Sequence, residues 1–105
     1  MAQFDYYANT DKDTNSTYPF IVDVQDALLD GLNSRVVIPL TPLSNFEKNC
    51  PKNLCPEITI DGKKYSLLTH QMASVPTRTL SNCEGSLALI RNEIISAIDF
   101  LITGI

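Results

Sequence analysis

Three cysteines and a single histidine are the side chains of this 105-residue sequence that a structural zinc site would use. Cys50 and Cys55 lie close together, whereas His70 and Cys83 are distant from them in the sequence. A structural zinc site takes four such ligands, usually in pairs that are two to four residues apart. We therefore interpret Cys50 and Cys55 as small, half-buried residues beside prolines, and we expect no metal and no cofactor.

The sequence around His70 lacks the partners that a catalytic histidine needs. A general base acts within hydrogen-bond reach of a nucleophile or an acid, and no such constellation is recognisable near Leu68-Thr69-His70-Gln71. A phosphate-binding loop would need clustered glycines, but the four glycines stand singly at Gly31, Gly62, Gly85 and Gly104. We therefore expect no catalytic residues, and we expect that the protein is not an enzyme.

The charge of the chain disfavours direct binding to nucleic acid. Twelve acidic residues stand against eight basic ones, and residues 1–34 carry six aspartates with a single lysine. Nucleic-acid binding needs a clustered basic surface, whereas an acidic surface suits a basic protein partner. The odd cysteine count fits a reducing compartment. The sequence shows no signal peptide and no apolar stretch long enough to span a bilayer. We expect a cytoplasmic protein without membrane contact.

Short extended segments make up most of the chain. Residues 20–25 alternate so that Phe20, Val22 and Val24 share one face, and residues 35–40 are apolar and β-branched. The pair Asp61-Gly62 accepts the positive φ angles of a tight turn, which predicts a hairpin between residues 57–60 and 63–69. A further extended segment is expected over residues 72–79.

The end of the chain changes to helical spacing. The apolar residues that recur at this spacing are Leu87, Ile90, Ile94, Ile98, Leu101, Ile102 and Ile105. Either the box Ser81-Asn82-Cys83-Glu84 or Ser86 is expected to cap the helix, and Gly104 suits a left-handed end. The apolar arc is wide, which indicates either a second contact surface or a helix lodged deep in its own barrel. We expect one domain over residues 1–105, with strands over about 2–79 and the helix over about 86–103.

Two further features stand out as surfaces without an obvious internal role. Asp26-Ala27-Leu28-Leu29-Asp30 places two leucines between acids in a connection after a strand, where they form either a contact or a local hydrophobic plug. The helix runs almost to the last residue, so that Gly104-Ile105 forms either a contact or a frayed end.

Taken together, the sequence resembles the CcdB family of plasmid and chromosomal toxins along nearly its whole length. The similar segments are Gln3-Phe4, Phe20-Ile21-Val22-Asp23-Val24-Gln25, Leu28-Leu29-Asp30, Arg35-Val36-Val37-Ile38-Pro39-Leu40, Met72-Ala73-Ser74-Val75-Pro76 and the helix that ends in Gly104-Ile105. The order and spacing of these segments carry the resemblance, because each of them alone is a weak signal.

The resemblance implies a mainly-β fold, a small SH3-like barrel of five strands with a C-terminal helix, which CcdB shares with the MazF and Kid toxins. It implies a homodimer that poisons DNA gyrase, a topoisomerase, by binding its A subunit and trapping the cleaved DNA complex. A CcdA-like antitoxin would neutralise it, as in plasmid maintenance by toxin–antitoxin systems. The implied gyrase-binding residues are Asp26, Leu28, Leu29, Asp99, Ile102, Thr103, Gly104 and Ile105.

The sequence departs from the family pattern at Thr103, where the best-known members carry a tryptophan that stacks on a gyrase arginine. Two alternatives therefore stay open. One is an endoribonuclease toxin of the MazF/Kid type, which would need Arg35, Arg78 and His70 to converge with an acid in a basic cleft. The other is a protein of the same fold that has lost gyrase poisoning, with Thr103 as the lesion.

Overall fold

The chain forms seven β-strands and one α-helix within residues 2–45 and 50–104, which are the residues that the computed structural model describes. In chain order they are β1 (Asp5–Ala8), β2 (Phe20–Asp23), β3 (Ser34–Pro42), β4 (Glu57–Ile60), β5 (Lys63–Leu67), β6 (Ala73–Pro76), β7 (Cys83–Ser86) and α1 (Arg91–Thr103). Several connections are single turns of 3-10 helix.

All strand pairs are antiparallel and belong to one sheet in the order β4-β5-β3-β2-β1-β7. The nine-residue strand β3 is the centre, because β2 covers one of its edges while β5 and β6 share the other. β6 pairs with residues 34–37 of β3, and β5 pairs with residues 40–42. The sheet therefore curls into a half-barrel around its longest strand.

A local sequence signal placed the β4–β5 hairpin correctly. Asp61 and Gly62 have φ angles of 52° and 79°, and they form the expected tight turn between β4 and β5. Pro39 lies within β3 at the point where the outer edge passes from β6 to β5. A proline has no backbone N–H, so this gap between two neighbouring strands is where the sheet tolerates it.

The half-barrel buries both faces of its sheet. The larger cluster contains Val22, Ile38 and Leu40 from the central strands, together with Ile94 of α1, and Phe20 and Val24 pack against it as expected. Tyr7, Val37 and Leu80 form a smaller cluster. Because neighbours along a strand face opposite sides, Val37 and Ile38 contribute to different clusters.

The start of the helix differs from the expectation. Residues of the proposed capping box lie partly in β7, which pairs with β1 through contacts such as Asp5 with Ser86. Pairing with β1 satisfies the backbone groups of this segment, so the capping box was a wrong interpretation. Ser86 accepts a hydrogen bond from the Ala88 backbone N–H at 3.1 Å, and a 3-10 turn over Ala88–Ile90 leads into α1.

The expected fold class, mainly β with a C-terminal helix, is confirmed. The described residues contain seven strands, where the resemblance implied five. β6 occupies part of the expected extended segment 72–79 and pairs with β3, whereas β7, at the end of the strand order beside β1, occupies the region before the helix, where no strand was expected.

Candidate binding surface

The turn surface, which we define as Asp26, Leu28 and Leu29, is a single turn of 3-10 helix after β2. The Asp26 carboxylate accepts a hydrogen bond from the Leu28 backbone N–H at 2.8 Å, which caps the turn. Leu28 is 91% exposed and Leu29 is 47% exposed. The leucines therefore do not form a local hydrophobic plug. Leu32, which the sequence argument did not single out, is 53% exposed a few residues later.

A buried arginine supports the turn surface by bonding to residues before and after the turn in the sequence. The Arg35 guanidinium on β3 donates to the Asp23 carboxylate at 2.9 Å, to the Asp30 carboxylate at 2.6 Å and to the Gln25 carbonyl at 3.0 Å. Arg35 is 1% exposed and Asp23 is fully buried. Burial lowers the pKa of Arg35, but the hydrogen bond and charge of Asp23, followed by those of Asp30, outweigh it and raise this pKa overall.

The Gln25 side chain closes the base of the same turn. Its amide nitrogen donates to the Leu29 carbonyl at 3.4 Å and to the Ser34 carbonyl at 3.2 Å. Its amide oxygen accepts from the Val36 backbone N–H at 3.1 Å. The alternation of residues 20–25 correctly predicted that Asp23 and Gln25 point away from the Val22 face. Both side chains are nevertheless buried, and they form a polar network that the sequence pattern did not indicate.

The terminal surface, which we define as Asp99, Ile102, Thr103 and Gly104, is the last part of α1 and its cap. Ile102 is 73% exposed, and Leu101 beside it is 39% exposed. The Thr103 hydroxyl donates to the Asp99 carbonyl at 2.6 Å, and the Gly104 backbone N–H donates to the Phe100 carbonyl at 2.9 Å. Gly104 has a φ of 75°, so it ends the helix in the left-handed conformation as expected.

The wide apolar arc of α1 serves two environments. Ile94 and Ala97 are completely buried against the sheet, whereas Leu101 and Ile102 face outward. Phe100 lines an open groove of about 530 Å³ between α1 and the loop before β4; the other lining residues are Lys52, Asn53, Pro56, Glu57, Asn92, Glu93 and Ser96. The first apolar turns of the helix therefore belong to the core, and its last turn is exposed.

The expected contact residues lie on two separate elements, the 3-10 turn Ala27–Leu29 with its cap Asp26, and the end of α1. Hydrogen bonds from β3 and Gln25 support the turn surface, bonds within α1 support the terminal surface, and no hydrogen bond or ion pair among residues 2–45 and 50–104 links the two surfaces. Ile105, the remaining residue of the expected set, lies outside the described residues.

The cysteines and His70 show an arrangement that sequence spacing did not indicate. Cys50 and Cys55 form a disulfide, and His70 Nδ1 is 3.7 Å from Cys55 Sγ. Cys55 is buried as the sequence interpretation allowed, and His70 lies exposed in the 3-10 turn Thr69–Gln71 after β5. Cys83 is a free, exposed cysteine on β7. The pairing of β4 with β5 joins residues that are distant in the sequence, and this explains why the cluster was missed.

The arginine required by the ribonuclease alternative is engaged elsewhere. Arg35 is buried and bonded to two aspartates, so its guanidinium is not offered to a phosphate in a cleft. Arg78 and His70 are exposed in separate 3-10 turns. Among the exposed lysines, Lys64 pairs with Glu57 at 3.4 Å. The ribonuclease alternative required Arg35 in such a cleft, and the structure does not meet this requirement.

The fold and the two surfaces define a small β half-barrel that presents exposed leucine and isoleucine side chains beside aspartates. Apolar anchors next to charged groups are the features by which proteins recognise other proteins. Residues 3–104 of the chain match the sequence model of the family described as CcdB protein, and the chain therefore belongs to the CcdB family. Members of this family are toxins of toxin–antitoxin systems. Among the described residues, no helix has the length and apolar character needed to cross a membrane.

Proposed function

We propose that this CcdB-family toxin binds the A subunit of DNA gyrase and traps the complex in which gyrase has cleaved DNA. The contact residues are those of the turn surface and the terminal surface, with Ile105. The toxin acts by binding and does not itself catalyse a reaction. It works in the cytoplasm as a homodimer, and a CcdA-like antitoxin neutralises it.

The exposure of Leu28 and Ile102 is the observation that best supports this proposal. The two side chains are 91% and 73% exposed, although side chains of this size gain about 1.5–3 kcal/mol when they are fully buried. Both occur at positions that the family resemblance assigns to the gyrase contact. A partner that covers them would recover this free energy, and the neighbouring Asp26 and Asp99 would attract a basic surface.

Thr103 limits the strength of the expected contact. Its hydroxyl is used within the helix, where it donates to the Asp99 carbonyl. A threonine also lacks the aromatic face on which an arginine could stack. We therefore expect gyrase binding to depend mainly on the leucines of the turn surface and on Ile102 and Ile105.

The test is a cleavage assay with purified toxin, gyrase, ATP and supercoiled plasmid, in which trapped complexes release linear DNA after denaturation. We expect linear product with the wild-type toxin and its loss when Gly104 and Ile105 are deleted. Leu89→Ser is the matched control, because Leu89 is a fully exposed leucine outside both surfaces. Circular dichroism must show that each variant is folded.

Two outcomes would contradict the proposal. Undiminished trapping by the truncated toxin would remove the terminal surface from the contact. No linear product with wild-type toxin, from gyrase that responds to another poison, would remove gyrase as the target. Cleavage of RNA by the pure protein, abolished by His70→Ala, would then favour the ribonuclease alternative. Cell survival on induction of the toxin gene would favour loss of the poisoning activity.

A further inference from the structure

Cys50, Cys55 and His70 form a cluster that has no part in the proposed gyrase contact. Their ligand atoms, two sulfurs and a ring nitrogen, all lie within 4.8 Å of one another. Cys50 and Cys55 are linked as a disulfide. Disulfides persist in oxidising compartments, whereas cysteines in the cytoplasm are kept reduced. In a reducing compartment these cysteines would therefore be mainly thiols.

We propose that the reduced protein binds one zinc ion through Cys50, Cys55 and His70, with the fourth coordination position open to water. Two thiolates and an imidazole are ligands that zinc prefers, and three protein ligands with an open fourth position are a known zinc arrangement. The inference about the metal concerns these three side chains and does not depend on the identity of the toxin's target.

The β4–β5 hairpin positions two of the three ligands. Cys55 comes just before β4 and His70 just after β5, at the open end of the hairpin. Glu57 pairs with Ser66, and the Leu67 backbone N–H donates to the Pro56 carbonyl at 3.0 Å, which fixes this end. The two ligands are therefore held by sheet hydrogen bonds rather than by a free loop.

The observed distance between these ligands already suits zinc. With zinc–sulfur and zinc–nitrogen bonds of about 2.3 and 2.05 Å, tetrahedral geometry separates sulfur from nitrogen by about 3.6 Å. Cys55 Sγ and His70 Nδ1 are 3.7 Å apart. This sulfur–nitrogen pair needs almost no movement to bind the metal.

Cys50 is the ligand that must move. Tetrahedral zinc separates two bound sulfurs by about 3.8 Å, so the disulfide has to open first. Two molecules of a cellular monothiol supply two electrons and two protons, become a disulfide themselves, and leave Cys50 and Cys55 as thiols. Zinc then binds both thiolates and releases the two thiol protons. Cys50 is half-buried, which leaves room for this separation, whereas Cys55 is buried and keeps its place.

The disulfide and the zinc complex exclude each other, because disulfide formation removes two electrons from the two thiolates that zinc needs and bonds their sulfurs to each other. Oxidation of the two thiolates by a cellular disulfide would expel the zinc, and reduction would restore the site. The cluster would thus couple zinc occupancy to the thiol–disulfide balance of the cell.

The test compares zinc binding by the full-length protein before and after reduction with a water-soluble phosphine, which opens a disulfide by taking up the oxygen of water as its oxide. Zinc is titrated against a chromophoric chelator, and cobalt(II) serves as a second probe, whose sulfur-to-metal charge-transfer band reports thiolate ligation. We expect one zinc per chain in the reduced protein, none in the oxidised protein, and a charge-transfer band only after reduction.

Three variants separate the proposed ligands from incidental thiol binding. Cys50→Ser and His70→Gln should each weaken zinc binding by about tenfold or more, because even the loss of a group that only orients a ligand typically costs about that much. Cys83→Ser is the matched control, because Cys83 is an exposed cysteine outside the cluster, and it should bind like the wild type. Cys50 and His70 are not fully buried, so these variants should fold, which circular dichroism checks. Zinc binding that is equal before and after reduction, or unchanged by His70→Gln, would overturn the proposal.

Discussion

The turn surface and the terminal surface both expose large apolar side chains, but they are supported in different ways. Beneath the turn surface, Arg35 reaches Asp23 and the Gln25 carbonyl, which are 12 and 10 residues away in the sequence. At the terminal surface, Thr103 and Gly104 bond to carbonyls four residues earlier in the same helix. One surface thus depends on contacts between strands, and the other on the backbone of a single helix.

This difference predicts how each surface responds to substitutions. The bonds of Arg35 beneath the turn surface also join β2 to β3 at the centre of the sheet. Losing these bonds should therefore destabilise the whole fold. The hydrogen bonds that support the terminal surface lie within α1 and its cap. Losing them should therefore loosen only the end of the helix. Variants in the two regions should therefore separate effects on folding from effects on binding.

The largest effect is expected from Arg35→Met. The substitution leaves the fully buried Asp23 carboxylate without its charged partner, and breaking a buried ion pair in this way typically costs about 3–5 kcal/mol. Urea denaturation of the purified protein measures the free energy of unfolding. Arg78→Met is the matched control, since Arg78 is exposed and should change stability by less than about 0.5 kcal/mol. Equal stability of the two variants would show that the polar network does not support the fold.

A second large effect is expected from Leu28→Ser, but on gyrase binding rather than on stability. Leu28 is 91% exposed, so its replacement should change the free energy of unfolding by no more than about 0.5 kcal/mol. Removing an apolar anchor at the centre of an interface costs about 2 kcal/mol, which corresponds to about 30-fold weaker trapping. Leu32→Ser, at an exposed leucine outside the defined surface, is the control in the cleavage assay. Similar losses in both variants would mean that general exposure, rather than this turn, determines binding.

Features that depend on neighbouring residues could be predicted from the sequence. Asp61-Gly62 specified its turn, and Gly104 ended the helix, because each requires a particular φ angle at that position. The strand alternation also identified which side chains face the main core. These signals are local, so a single sequence carries them.

Features that depend on the curl of the sheet could not be predicted in this way. Arg35 was considered for a catalytic cleft, and nothing near it in the sequence showed that Asp23 and Asp30 would enclose its guanidinium. His70 and Cys55 are 15 residues apart and meet because β4 pairs with β5. The capping box failed for a related reason, since pairing with β1 prevailed over the local helix signal.

Gly104→Ala tests whether the terminal surface is as local as its hydrogen bonds indicate. Gly104 has a φ of 75°, and a residue with a Cβ atom pays roughly 1–2 kcal/mol in this left-handed conformation. We expect the last turn of α1 to fray, with a stability loss of about 1 kcal/mol in urea denaturation. Gly31→Ala is the control, because an added Cβ there meets nothing within 4 Å and the backbone has no positive φ. A loss as large as that of Arg35→Met would contradict the proposed division between the two surfaces.

A gain of function, rather than a loss, is expected from Thr103→Trp. An indole at this exposed position would offer the aromatic face that threonine lacks, and a stacked arginine contributes about 1–2 kcal/mol to binding when it is desolvated. Trapping of cleaved DNA should then require about five- to thirtyfold less toxin. Thr103→Ala is the control, because it also removes the hydroxyl bond to the Asp99 carbonyl but adds no ring. If both variants trapped gyrase equally, the terminal surface would not meet an arginine, and the turn surface would remain as the principal anchor.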